Sequence, residues 1–158
     1  MGPPTAIVTG GLSGIGNALV RHLVSLNWRV VVADINPPRS PCRRRPGRPV
    51  QASVCVERAA GFVALNAGVD HGDDVLENLS GDVDRPPSKP DTRPFEVNVT
   101  GAFYGIKLAA HYMTVPSTHA GTPKSGGKII ITASGGGIFP IPILAQHTAS
   151  KHPLIGLV

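Results

Sequence analysis

Cysteine is scarce in this 158-residue chain: Cys42 and Cys55 are the only two, too few for a disulfide framework and without the paired spacing of a metal site. They read as free thiols. No apolar run approaches the roughly twenty residues that a membrane-spanning helix needs, so no membrane partner is expected. Met1-Gly2-Pro3-Pro4 leads straight into a short apolar run, with neither a basic leader nor a long apolar core, so no secretory signal is visible and the cytoplasm is the expected location. Aromatic residues are missing from the one strongly basic stretch. Arg39, Arg43, Arg44, Arg45 and Arg48 supply five of the fifteen basic residues, and the remaining ten balance ten acidic ones, so the formal charge of +5 is local. A proline-broken arginine run without aromatics reads as a solvated segment, and no nucleic-acid partner is expected.

What the chain has in excess is turn-forming residues. Sixteen prolines and nineteen glycines are many for one compact domain of this length. The prolines gather at 37–49 and 86–94, so 37–60 and 80–93 are expected to be irregular loops, with only weak alternation from Val50 to Val56. Asp73, Asp74, Asp82 and Asp84 do not fit a calcium-loop spacing and read as a solvated loop, with at most a short helix at Val75 to Leu79; no metal is expected.

The glycines are organised at one place. Thr9-Gly10-Gly11-Leu12-Ser13-Gly14-Ile15-Gly16 follows the apolar run Ala6-Ile7-Val8 and precedes a stripe of Ile15, Leu19, Leu23 and Leu26 at helical spacing. A strand therefore turns sharply into a helix through glycines, the geometry of a phosphate cradle. The backbone can approach a pyrophosphate there, and the first N–H groups of the helix face the anion. Arg29-Val30-Val31-Val32-Ala33-Asp34 reads as a second strand, buried on both faces and ending in a carboxylate. Asp34 lies eighteen residues beyond Gly16 and twenty-four beyond Gly10, where it can accept hydrogen bonds from adenosine ribose hydroxyls and would repel a 2′-phosphate. The same residue could instead start a surface turn before Asn36-Pro37. The spacing favours the ribose role, and with it NAD over NADP.

Three further elements complete the reading. Gly61-Phe62-Val63-Ala64-Leu65-Asn66-Ala67-Gly68 is an apolar strand ending in Asn-Ala-Gly. Pro94 suits the first position of a long helix whose apolar face comprises Phe95, Val99, Ala102, Phe103, Ile106, Ala109, Ala110 and Met113. Lys128 to Ser134 is a buried strand followed by Gly135-Gly136-Gly137, a loop at the carboxyl end of the sheet, and Ala145 to Val158 begins a last helix. Strands alternating with helices give an α/β fold, a Rossmann-type doubly wound parallel sheet.

Taken together, the Thr9–Gly16 turn, Asp34, Asn66-Ala67-Gly68, Asn98 within Phe95–Gly101, and Ser134 ahead of Ser150-Lys151 resemble the short-chain dehydrogenase/reductase family of classical type. Gly105–Ala110 and Lys151–Val158 are most similar to its fungal NAD-dependent hydroxyprostaglandin-dehydrogenase-like members. The resemblance implies an NAD-dependent oxidoreductase that interconverts a small-molecule secondary alcohol and a ketone, working as a homodimer or tetramer. It assigns Gly10, Leu12, Ser13, Gly14, Ile15, Gly16, Asp34, Asn66, Ala67, Gly68 and Lys151 to the cofactor. Ser134, Lys151 and Asn98 fall to catalysis: Ser134 bonds the substrate oxygen, Lys151 tunes the acid/base and holds the nicotinamide ribose, and Asn98 supports a proton relay.

The family's acid/base tyrosine stands four residues before the lysine and thirteen after the serine, and both counts reach His147. Tyr104 and Tyr112 belong to the long helix. Imidazole can act as a general base near neutral pH, but it is shorter than a phenol, and a strong loss of activity is expected. The family also continues through two more strands where this chain stops. Residues 1–158 therefore read as a single truncated domain with an incomplete sheet of order 2-1-4-5 in the family's numbering, prone to association. Two alternatives stay open: a degenerate nucleotide-binding protein without redox chemistry, and a non-redox relative that uses His147 for proton transfer.

Overall fold

The computed structural model describes residues 3–36, 61–70, 81–114 and 126–158. The expectations for 37–60, including the arginine run and both cysteines, and for the short helix at 75–79 with Asp73 and Asp74, lie outside the described residues. The chain falls into two compact units, Met1–Ala67 with Gly105–Thr132 and Gly68–Tyr104 with Ala133–Val158.

The first unit holds a four-stranded parallel sheet. Its strands are β1 (Thr5–Thr9), β2 (Arg29–Ala33), β3 (Phe62–Leu65) and β4 (Lys128–Ile131), in the order β2-β1-β3-β4. That is the expected order of a Rossmann-type sheet, for the four strands among the described residues. In register, Ile7 stands beside Val31 and Val63, and Val63 beside Ile129. Because side chains alternate along a strand, this register sorts the apolar residues onto two faces. Ala6, Val8 and Ala64 pack with Leu23, Leu19 and Val20 of helix α1 (Gly14–Ser25). Val63 and Leu65, with Ile7, Ile129 and Ile131, pack on Ile106, Ala109 and Met113 of helix α2 (Gly101–Met113). One helix on each face is the doubly wound arrangement.

Local sequence explains how the first helix ends. Asn27 adopts φ +62°, and the Asn27 and Trp28 N–H groups donate to Val24 O and Leu23 O, a Schellman motif with asparagine in the left-handed position. Trp28 then joins Leu23 in the same apolar cluster and meets Phe62 edge-on at 6.0 Å.

Several expected faces differ. In α1 the packed stripe is the buried Leu23 with the partly buried Leu19 and Val20, whereas Ile15 is 72% and Leu26 56% exposed. Ile15 sits in the first turn and Leu26 in the cap, past the ends of the strands that the middle of the helix covers. In α2, Phe103 and Ala110 point outward and the buried positions are Ala102, Ala109 and Met113. At 100° per residue Phe103 lies off the stripe that Ala102, Ile106, Ala109 and Met113 share. Strand β2 is not buried on both faces; at the edge of the sheet among the described residues, it is partly exposed throughout. Strand β4 is the other edge, ending at Ile131 rather than Ser134, and Ile130 is exposed on the face opposite α2.

The second unit begins at Gly68. Gly81 to Thr92 carries no helix or strand, and the Thr92 carbonyl then caps the next helix by accepting from the Phe95 and Glu96 N–H groups. Residues Phe95–Thr100 are a π-helical turn, closed by Gly101 N–H donating to Glu96 O, so the long helix starts wider than an α-helix. Short 3₁₀ turns at Gly135–Gly137 and Pro142–Leu144 lead into helix α3 (Ala145–Ile155), which carries Pro153 in its interior. Ile141 is pinned to α3 by its N–H donating to Thr148 Oγ1 at 3.2 Å. Among the described residues, no helix is long and apolar enough to cross a membrane.

Candidate active site

In the first unit the glycine-rich turn leaves β1 through Gly10 (φ +65°) and enters α1 through Gly14 (φ +47°), both in the left-handed region that favours glycine. Gly16 is required for a different reason: a Cβ there would run into the Gly10 carbonyl and the Asn66 amide. The turn is therefore folded tightly on itself, with Ser13 exposed in extended conformation as the helix N-cap and Ile15 exposed beside it.

Asp34 holds this turn from the end of β2. Its Oδ2 accepts from Leu12 N–H at 3.0 Å, and its Oδ1 accepts from Asn36 N–H at 2.9 Å. The carboxylate thus starts a local turn, as one sequence reading has it, and also reaches the glycine loop twenty-two residues earlier.

The carboxyl ends of three strands are tied together beside the turn. Thr9 Oγ1 accepts from the N–H groups of Asn66 and Ala67, each at 3.0 Å. Asn66 Oδ1 accepts from Thr132 Oγ1 at 3.1 Å, while its Nδ2 donates to Gly10 O at 3.4 Å. Thr9 and Thr132 went unassigned in the sequence. Thr9 opens the glycine motif, whereas nothing distinguishes Thr132 from any other hydroxyl at a strand end.

The second unit brings together Gly68, Asn98, Ser134, His147 and Lys151. Asn98 is 1% exposed, and its amide is fully engaged. Its Oδ1 accepts from Val69 N–H and its Nδ2 donates to Val69 O and to Ser150 Oγ, all at 2.8 Å. Ser150 is itself fully buried and donates to His147 O at 2.9 Å. The asparagine thereby fastens the backbone at Val69 to helix α3, a link through Ser150 that the sequence did not reveal because Ser150 reads only as the neighbour of Lys151. A Cβ on Gly68 would lie 3.2 Å from both Asn98 Oδ1 and Lys151 Nζ, so both groups close on this glycine.

Lys151 is 5% exposed, and burial pushes its ammonium below the usual lysine pKa, because desolvation penalises the charged form. Ser134 Oγ accepts from Gly136 N–H at 3.1 Å, and His147 Nε2 lies 3.3 Å from the same oxygen. The other ring nitrogen of His147, Nδ1, is buried and has no hydrogen-bond partner among the described residues. Exposed apolar side chains of the connecting loop, Ile138, Phe139 and Ile143, stand between Ser134 and His147 in the chain.

Solved structures share this fold. A short chain dehydrogenase/reductase from Burkholderia phymatum in complex with NAD matches with a TM-score of 0.72 at 22% identity, over 99% of this chain and 58% of that one. A 4-hydroxyisoleucine dehydrogenase complexed with NADH matches at a TM-score of 0.67 and 20% identity, over 98% and 66%. The chain belongs to the short chain dehydrogenase family, whose sequence pattern it matches over residues 60–158. Among curated proteins it is similar to momilactone A synthase from Oryza sativa subsp. japonica, 35% identical over 96% of this chain and 57% of that one. It is also similar to a 2,5-dichloro-2,5-cyclohexadiene-1,4-diol dehydrogenase of Sphingobium indicum, 30% identical over 97% and 63%, and to the NADP-dependent dehydrogenase M3 of a Phoma species, 30% identical over 97% and 52%. The chain thus spans between 52 and 63% of the length of these relatives.

Proposed function

We propose that this chain is the nucleotide-binding and catalytic portion of an NAD-dependent oxidoreductase interconverting a secondary alcohol and a ketone. The observation that carries the reading is the contact between Asp34 and Leu12, a carboxylate held against a turn that tolerates only glycine at Gly16. The residues fit a dinucleotide: the turn is shaped for close backbone approach, and the fixed carboxylate offers acceptors to ribose hydroxyls and repulsion to a 2′-phosphate. Gly10, Leu12, Ser13, Gly14, Ile15 and Gly16 would hold the pyrophosphate and Asp34 the adenosine ribose, with Asn66 and Ala67 shaping the cradle. The resemblance adds Gly68 and Lys151 on the nicotinamide side. When bound, the nicotinamide dinucleotide supplies the hydride acceptor or donor.

Within the second unit the protein's own groups would handle the substrate oxygen. Ser134 bonds that oxygen, Lys151 contributes positive charge, Asn98 holds the framework, and His147 occupies the position of the family's acid/base tyrosine. The finer placement among fungal hydroxyprostaglandin-dehydrogenase-like enzymes, a cytoplasmic location and homodimer or tetramer assembly belong to the same reading.

A second reading, a nucleotide-binding protein without redox turnover, is favoured by His147 itself, which offers an imidazole where the chemistry needs a longer phenol. His147→Tyr separates the two. Assayed with NAD or NADH on a panel of secondary alcohols and ketones, the variant should turn over at least tenfold faster than the parent chain. Equal absence of turnover in both, with dinucleotide bound, would favour the non-redox reading.

A further inference from the structure

The Ser134–His147 pair has a directionality that the distances alone leave open. Nε2 can donate to Ser134 Oγ, or Ser134 can donate to Nε2, according to which ring nitrogen carries the proton. The surroundings of Nδ1 decide between them. That nitrogen is buried with no hydrogen-bond partner among the described residues, so the tautomer protonated at Nδ1 would leave an N–H donor unsatisfied and shut off from solvent. Orphaned buried N–H groups are rare because they forfeit the whole of their hydration. The tautomer protonated at Nε2 leaves only a lone pair unused at Nδ1 and makes the 3.3 Å contact an N–H···O bond.

We propose that His147 is held as the Nε2–H tautomer and acts as a positioning residue, turning Ser134 into a dedicated hydrogen-bond donor for a carbonyl oxygen. The hydroxyl oxygen has two lone pairs. Gly136 N–H occupies one at 3.1 Å and His147 Nε2–H the other, so the only capacity left to Ser134 is its own O–H. A ketone oxygen, acceptor only, matches this arrangement. An alcohol oxygen can also accept from Ser134, but its own proton would find no acceptor at Ser134 or at the protonated Nε2. The inference rests on the reading of Ser134 as the group that meets the substrate oxygen, and it makes the carbonyl compound the ligand for which this pair is built.

The test needs neither cofactor nor turnover. The full chain, labelled with ¹⁵N in its six histidines, is examined by long-range ¹H–¹⁵N correlation near neutral pH, with the His147 signals identified by their loss in His147→Asn. A protonated-type resonance at Nε2 and an unprotonated-type resonance at Nδ1 are expected. Ser134→Ala, which removes the acceptor and leaves the ring in place, should shift the Nε2 signal and leave the other histidines unmoved; it also identifies His147 independently should the asparagine variant fail to fold. A protonated Nδ1, or an Nε2 signal indifferent to Ser134→Ala, overturns the proposal. Failure to bind NAD would instead strike the oxidoreductase reading and leave the tautomer result standing.

Discussion

Leu12 N–H donates to the Asp34 carboxylate at 3.0 Å, joining the glycine turn after β1 to the end of β2. Bonds of this kind to a charged group are worth about 1.5–3 kcal/mol. Asp34→Ala removes this anchor together with the ribose acceptor. Its NAD dissociation constant should rise roughly 10-fold or more, and affinity for NADP should fall less because a repulsive charge is lost with it. Titration of the variant with both dinucleotides checks this; an unchanged preference would detach Asp34 from cofactor choice.

Gly105 faces β3 so closely that a Cβ there would lie 2.5 Å from Leu65 Cδ2. Leu65 belongs to the cluster of Val63, Ala109 and Met113, where the leucine has little room to yield. Gly105→Ala should therefore destabilise the chain by about 1–3 kcal/mol through overpacking, despite alanine's better helix propensity. Chemical denaturation reads the change, and a stabilised variant would mean that α2 can withdraw from β3 freely.

Much of this was legible beforehand, and the gaps have physical causes. The glycine turn and the carboxylate at the end of β2 follow from spacing, whereas the strand order and the approach of His147 to Ser134 follow from the resemblance to the short-chain dehydrogenase family. Burial along the helices was less legible. Ile15, Leu26 and Phe103 sit at or near helical spacing, yet they lie past the strand ends or off the packed stripe, which periodicity alone does not reveal. The π-helical turn at Phe95–Thr100 carries no mark in local periodicity, and the bonds of its Asn98 run to Val69 and Ser150, twenty-nine and fifty-two residues away.

Lys151 gives a pH signature. Burial depresses its pKa in the folded chain, so between that value and the ordinary lysine value of about 10.4 the unfolded chain binds more protons. This group's contribution to stability therefore rises with pH across that window, and at lower pH the full cost of burying the ammonium is felt. Denaturation midpoints measured from pH 7 towards 10 should show this upward component in the parent chain, and Lys151→Met should lose it. A downward slope attributable to Lys151 would mean that its charge is stabilised in place.

The central claim is that the glycine turn and Asp34 form a working dinucleotide site selective for NAD. Calorimetric titration of the monodisperse parent chain with NAD, and separately with NADP, tests it most directly. The account predicts saturable one-to-one binding of NAD, at least tenfold tighter than that of NADP; no binding of either, or tighter binding of NADP, would contradict it.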